Sequence, residues 1–146
     1  MKRTIGTLGF VCLLGLPAVA AAQEHYTEGP VWRVNYLAVK PGKFNESLKD
    51  IRENFAKTGA AAKQAGVILD YKVYLNATSN NPDDWDIATA TLYKGYGALD
   101  GLTGKMDPIT LKHYNTAEAR TQAGAKRIEL WTTVTSALAR EITMKP

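Results

Sequence analysis

Apolar side chains fall on both alternating faces of VWRVNYLAVK, residues 31 to 40, in a run rich in β-branched and aromatic types. With no helical stripe, such a run predicts a strand. One face carries Val31, Arg33, Asn35, Leu37 and Val39, the other Trp32, Val34, Tyr36 and Ala38. Both faces are apolar enough to need cover, and Arg33 and Asn35 are the polar exceptions. After Pro41-Gly42 the period changes. Phe44, Leu48, Ile51 and Phe55 form one stripe, continued by Ala62 and Ala65, which predicts a helix stopped at Gly66. Lys43, Lys49, Asp50, Arg52, Glu53 and Lys57 lie mostly outside that stripe. VILDYKVYL (67 to 75) and WDIATATLY (85 to 93) alternate again and predict two more strands, joined by the turn-forming NATSNNPDD.

The Gly-rich YGALDGLTGKM predicts a weak helix on Leu99, Leu102 and Met106, ended by Asp107-Pro108. Thr116 is a suitable N-cap for a better helix running to about Thr133, with Ile128 and Trp131 as its packing anchors. TSALAREITM alternates Leu138, Arg140 and Ile142 and predicts a short closing strand. Residues 23 to 30, QEHYTEGP, read as a flexible polar arm. The order is β-α-β-β-α-β with an extra helix before the last strand. The fold class is therefore α+β, a ferredoxin-like unit of four antiparallel strands with helices on one face. The sheet face away from the helices is also apolar, and a second copy packed sheet to sheet would cover it.

Composition changes the picture mainly at the N-terminus. Lys2 and Arg3 precede an apolar run at 8 to 16, LGFVCLLGL, followed by small residues around Ala18 to Ala22. That pattern predicts a cleavable signal peptide over residues 1 to 22, since the run is too short to span a bilayer. Export to a bacterial periplasm or beyond follows, with no stable membrane association once the signal is gone. Loss of Lys2 and Arg3 from 18 basic side chains, against 14 acidic ones, takes the net charge from +4 to +2. The basic residues are not clustered, so a nucleic-acid partner is not expected. Cys12, the one cysteine, leaves with the signal. Disulfides and thiolate chemistry are then excluded from residues 23 to 146, which form one domain from 31 onward.

The stretches VWRVNYLAVKPGKFNESLKDIRENF, AGVILDYKVYL, NPDDWDIATATLYK and ALAREI together resemble the dimeric α+β barrel superfamily, in particular its small exported members of unassigned function. The resemblance spans residues 31 to 143 and implies a homodimer. That superfamily includes cofactor-free monooxygenases, isomerases, haem-binding enzymes and proteins without known catalysis, so likeness of fold does not choose among them.

Four groups of residues are candidates for chemistry. Lys40-Pro41-Gly42-Lys43 at a helix start could attract an anion, although one proline and one glycine suffice for a strand-to-helix corner. Asp83, Asp84 and Asp86 have the oxygen ligands that calcium takes but not an EF-hand spacing, and a solvated turn around Trp85 explains them better. His113 is the one histidine suited to ligate haem, as the resemblance implies for haem-binding relatives; His25 lies in the arm, and neither has a partner at metal-ligand spacing. The aromatic set Trp32, Tyr36, Tyr71, Tyr74, Trp85 and Tyr93, with Arg33, Asn35 and Asp70, has the make-up of a ligand pocket or of sheet packing. Monooxygenase relatives place substrate with tryptophan, asparagine, tyrosine and arginine. Trp32, Arg33, Asn35 and Tyr36 supply the types, but on opposite strand faces.

No Ser-His-Asp or Cys-His arrangement can be assembled. The expectation is a non-enzymatic exported homodimer that binds a small apolar or aromatic ligand, with Trp32, Arg33, Tyr36, Tyr71 and His113 as pocket candidates and no metal or cofactor. The alternatives are a cofactor-free monooxygenase or isomerase working between sheet and helices, and haem binding through His113.

Overall fold

A computed structural model describes residues 25–78 and 84–146. The signal segment at 1 to 22 and Asp83 lie outside the described residues. The elements are β1 (Tyr26–Val39), α1 (Phe44–Asp50), a π-helical stretch (Ile51–Ala56), α2 (Lys57–Gln64), β2 (Asp70–Leu75) and β3 (Ile87–Tyr93). A short 3-10 turn (Tyr96–Leu99), α3 (Leu102–Tyr114), α4 (Ala117–Leu130) and β4 (Trp131–Met144) complete the chain. All strand pairs are antiparallel in the order β2-β3-β1-β4. That order, with helical crossovers from β1 to β2 and from β3 to β4, is the ferredoxin-like topology.

Register decides which side chains share a face. Leu37 stands opposite Ile87, Asn35 opposite Thr89, Arg33 opposite Thr91 and Val31 opposite Tyr93. This is the helix side. Leu37 and Ile87 pack with Ile51 from the first helical layer, and Leu48, Phe55 and Trp131 close around them. At the other end Tyr93 packs with Ala62 and Ile68, under Leu102, Met106 and Ile109 of α3. The opposite face carries Trp32, Val34 and Tyr36 over the small Ala88 and Ala90, with Lys72 and Tyr74 beside them. Among the described residues, none of that face enters a core cluster with a helix.

The corner after β1 is built as its residues require. Gly42 has φ +76°, and Lys43 N–H bonds back to the Lys40 carbonyl at 2.9 Å. Gly66, at φ +71°, ends α2. Both positive angles are cheap for glycine and strained for other residues.

Several boundaries differ from the expectation. β1 starts at Tyr26, inside the stretch read as a flexible arm, because Tyr26 to Glu28 pair with Ile142 to Met144. The pairing skips Gly29 and Pro30, where proline has no N–H to give the ladder. Helix α3 does not stop at Asp107-Pro108 but runs through it to Tyr114. Interior proline costs about 3 kcal/mol. Here Leu102, Met106 and Ile109 dock as one stripe across the proline and offset that cost. Helix α4 ends at Leu130 rather than Thr133, and Trp131 is already extended (φ −151°, ψ 167°). The run Thr132 to Thr135 is β-branched throughout, which favours a strand. The buried anchor is consequently Leu130, at 2% exposure, while Ile128 is 71% exposed.

One close approach holds α2 against the sheet. A Cβ added to Gly59 would sit 2.8 Å from Cγ of Tyr71, whose ring is also in edge contact with Phe55. Alanine normally stabilises a helix relative to glycine by up to about 1 kcal/mol. Gly59→Ala is expected instead to lower stability in urea unfolding by roughly 1–3 kcal/mol, through overpacking. In a Tyr71→Ala background the same substitution should become neutral or stabilising.

Candidate functional site

The helices do not close down on the whole sheet. Between them lies a cavity of about 520 Å³, within the usual range for small-molecule sites. Its floor is the helix side of the sheet, with Asn35, Leu37, Thr89 and Thr133. One wall is the first helical layer, where Asp50, Asn54 and Thr58 form a polar row beside an apolar row of Ile51 and Phe55. The wide π-helical stretch spans most of this wall. With more residues per turn than an α-helix, it brings two adjacent rows to one surface, and such stretches recur at functional sites. The far wall is Thr110 and Tyr114 of α3 with Arg120 and Arg127 of α4, and Trp131 closes one end.

A hydrogen-bonded chain runs along one side of this space. Arg127 donates from Nε to Asp50 Oδ2 at 2.8 Å and from Nη2 to the Tyr114 hydroxyl at 2.5 Å. Asn54 Nδ2 donates to Asp50 Oδ1 at 2.7 Å. His113 Nε2 lies 2.9 Å from Asn54 Oδ1. With the Asn54 amide nitrogen turned to Asp50, its oxygen faces the imidazole, so His113 Nε2 carries the proton and donates. Burial opposes the charge on Arg127, but the Asp50 carboxylate and Tyr114 hydroxyl outweigh it, and its pKa stands above the usual guanidinium value. Asp50 and Arg127 are the least exposed ion pair of the site, with side chains 13% and 29% exposed. On the same face of α4, Arg120 donates from Nη1 to Asp107 Oδ1 at 2.8 Å and to Thr110 Oγ1 at 3.0 Å. On the floor, Asn35 Oδ1 accepts the Ser136 hydroxyl at 2.7 Å.

Of the residues singled out from the sequence, Asn35 lies on the cavity floor and the others are distributed around the cavity. Trp32 and Tyr36 stand on the opposite face of the sheet, Trp32 bonded through Nε1 to Glu141 at 2.6 Å and Tyr36 in edge contact with Trp85. Arg33 shares the helix side but lies over the Tyr93 ring at 5.5 Å. Burial raises the pKa of that tyrosine, with Arg33 partly opposing the shift. Tyr71 is packed between Gly59 and Phe55. His113 reaches the cavity through Asn54 and through its edge contact with the Tyr114 ring, and its Nε2 is engaged by Asn54 rather than free for a metal.

The lysine corner and the aspartate loop have structural occupations. Lys43 Nζ pairs with Glu46 at 2.9 Å. Asp86 Oδ2 accepts from Val39 N–H at 2.7 Å, while Asp84 takes Trp85 N–H and the Asn76 amide. These two carboxylates hold backbone and side chain together instead of facing water. Among the described residues no group of three or more histidine, cysteine, aspartate or glutamate side chains is placed to hold a metal ion.

Sequence reasoning passed over Asp50, Asn54, Tyr114, Arg120 and Arg127. A signal existed for part of the set. Asp50, Asn54 and Thr58 repeat at i, i+4, i+8 directly beside the apolar stripe, as a polar row does when it borders a cavity rather than solvent.

No family model matches the chain, and no curated protein matches it. Among solved structures it is similar to a dimeric protein of unknown function with a ferredoxin-like fold from Bacteroides fragilis NCTC 9343. The two are 18% identical with a TM-score of 0.43, over 82% of this chain and 100% of the other.

Removing one partner of a buried pair leaves the other charge uncompensated. Arg127→Met is expected to cost about 3 kcal/mol in chemical unfolding. Asp50→Asn together with Arg127→Met should lose less than the two single changes summed. The difference, a coupling of about 1–3 kcal/mol, is read from a double-mutant cycle.

Proposed function

We propose that this chain is an exported binding protein that holds a small ligand between its sheet and its helices. The supporting observation is the 520 Å³ cavity, where the apolar Leu37, Ile51, Phe55 and Trp131 face a fixed polar network around Asp50 and Arg127. Apolar walls with a few placed polar groups are the make-up of a site that binds and orients a small molecule. In this reading the polar groups hold one another, so the site is organised before the ligand arrives, which reduces the ordering cost of binding.

The same reading includes self-association through the open face of the sheet. Trp32, Val34, Tyr36 and Leu92 form an apolar surface there, bordered by Lys72, whose Nζ lies 5.2 Å over the Trp32 ring, and by Glu141. An apolar centre with a charged border is how protein interfaces are built. The partner is a second copy, sheet against sheet. The N-terminal segment, read as a signal, would deliver the chain to the periplasm or outside the cell.

Ligand binding is tested by native mass spectrometry of protein recovered from the exported fraction. A bound small molecule is expected, and it should be absent from Thr133→Trp, which raises an indole from the cavity floor into the space. Recovery of the same adduct from that variant would refute the cavity as the site. Self-association is tested separately by light scattering. Twice the monomer mass is expected for the processed chain and monomer mass for Val34→Glu at the centre of the face. A wild-type monomer would overturn this part.

A further inference from the structure

The hydrogen-bond inventory of the cavity is unbalanced. Among the described residues Arg127 uses Nε and Nη2 but Nη1 has no acceptor. Arg120 uses only Nη1, leaving Nε and Nη2. On the floor Asn35 has its oxygen engaged by Ser136 while Nδ2 is unmatched. The hydroxyls of Thr89 and Thr133, which also line the space, can either donate or accept. Both oxygens of Asp50 receive a donor, from Asn54 and from Arg127. Thr58 and Thr110 turn their hydroxyl hydrogens to carbonyls of their own helices. The arginine and amide N–H groups of the lining therefore still have donors to offer, while its one carboxylate is engaged at both oxygens. Of the charged side chains lining the space two are arginines and one is Asp50, while Asp107, the partner of Arg120, stands outside the lining.

The arginines are seven residues apart, two turns of α4 and about 10 Å along its axis. Both point from one helix face into the cavity. Phe55 on the facing wall and Trp131 at one end offer flat apolar surface. A guanidinium matches a carboxylate in shape and charge better than a lysine ammonium does.

We propose that the ligand of this cavity is a small aromatic acid, its anionic end taken by the α4 arginines and its ring body laid against Phe55 and Trp131. This rests on the binding function above and adds the chemical class. Asp50 and Tyr114 are positioning residues in this scheme: they hold the Arg127 guanidinium with one edge turned to the ligand. A neutral or cationic ligand of the same shape would leave those donors unmatched or bring like charges together, both unfavourable in a partly buried site.

The test uses three probes with one body: 2-naphthoate, 2-naphthalenemethanol and 2-naphthylmethylammonium, titrated calorimetrically into the purified protein. Naphthoate is expected to bind at least about ten-fold more tightly than the alcohol, and the ammonium more weakly still. Arg120→Gln disturbs only a half-exposed pair and should leave the fold intact while weakening naphthoate about ten-fold and the alcohol little. Arg127→Gln is made together with Asp50→Asn, so that no buried carboxylate is orphaned, and should show the same selective loss. Equal or tighter binding of the alcohol or ammonium, still blocked by Thr133→Trp, overturns the acid class and leaves the cavity reading standing. Naphthoate binding that survives Thr133→Trp removes both readings. Failure of naphthoate to bind at millimolar concentration overturns the aromatic-acid proposal, while a cavity-dependent adduct in the exported protein would still uphold the binding function.

Discussion

A guanidinium held between a carboxylate and a phenol is the contact on which the arrangement of helices over this sheet depends. Arg127 ties α4 to Asp50 at the end of α1 and to Tyr114 at the end of α3, joining three helical segments at one point. Without it α4 would rest on Leu130 and on the Arg120 bonds to Asp107 and Thr110, since its inner face offers Arg120, Ala123, Gly124 and Arg127 rather than large apolar groups. Leu130 alone is buried on that helix. A helix held by polar contacts at a distance does not collapse onto the sheet below it. The space left over is the cavity.

The sheet explains why so much chemistry is gathered on one side. Its central strands are apolar on both faces, and the chain has helices for only one of them. On the covered side, tight packing at the two ends, around Ile87 and around Tyr93, leaves the middle of the floor to Asn35 and Thr89. On the uncovered side Ala88 and Ala90 are low points between the tall Trp32, Tyr36 and Tyr74. The cavity and the open face are thus separated by the thickness of one strand layer.

How much of this was readable beforehand depends on the range of the interaction. The helix on Phe44, Leu48, Ile51 and Phe55 was legible because its period is local and its corner is punctuated by Pro41-Gly42. The four strands and their ferredoxin-like order were legible for the same reason. Pro108 misled because a local breaker was outweighed by docking of Met106 and Ile109 against residues more than forty positions away in the chain, such as Ala62. Ile128 misled because periodicity placed it on a core face, whereas the helix turns a different edge inward and delivers Leu130. Of the two polar exceptions on β1, Asn35 became floor and Arg33 became a cation over a ring. Nothing local distinguishes them. The Asp50–Arg127 pair joins residues 77 positions apart, beyond what any spacing rule reads.

The absence of a loop between α4 and β4 has a mechanical consequence. Leu130 ends the helix, Trp131 begins the strand, and the Leu130 carbonyl is bonded to Lys40 N–H at 2.9 Å. The joint is therefore a rigid elbow clamped to the neighbouring strand, with no slack to absorb a turn of the helix about its axis. Arg127 sits one helical turn before that elbow and Trp131 just beyond it, both against the same cavity. Any torque on the guanidinium is delivered to the indole, so the charged and aromatic ends of the space move as one lever.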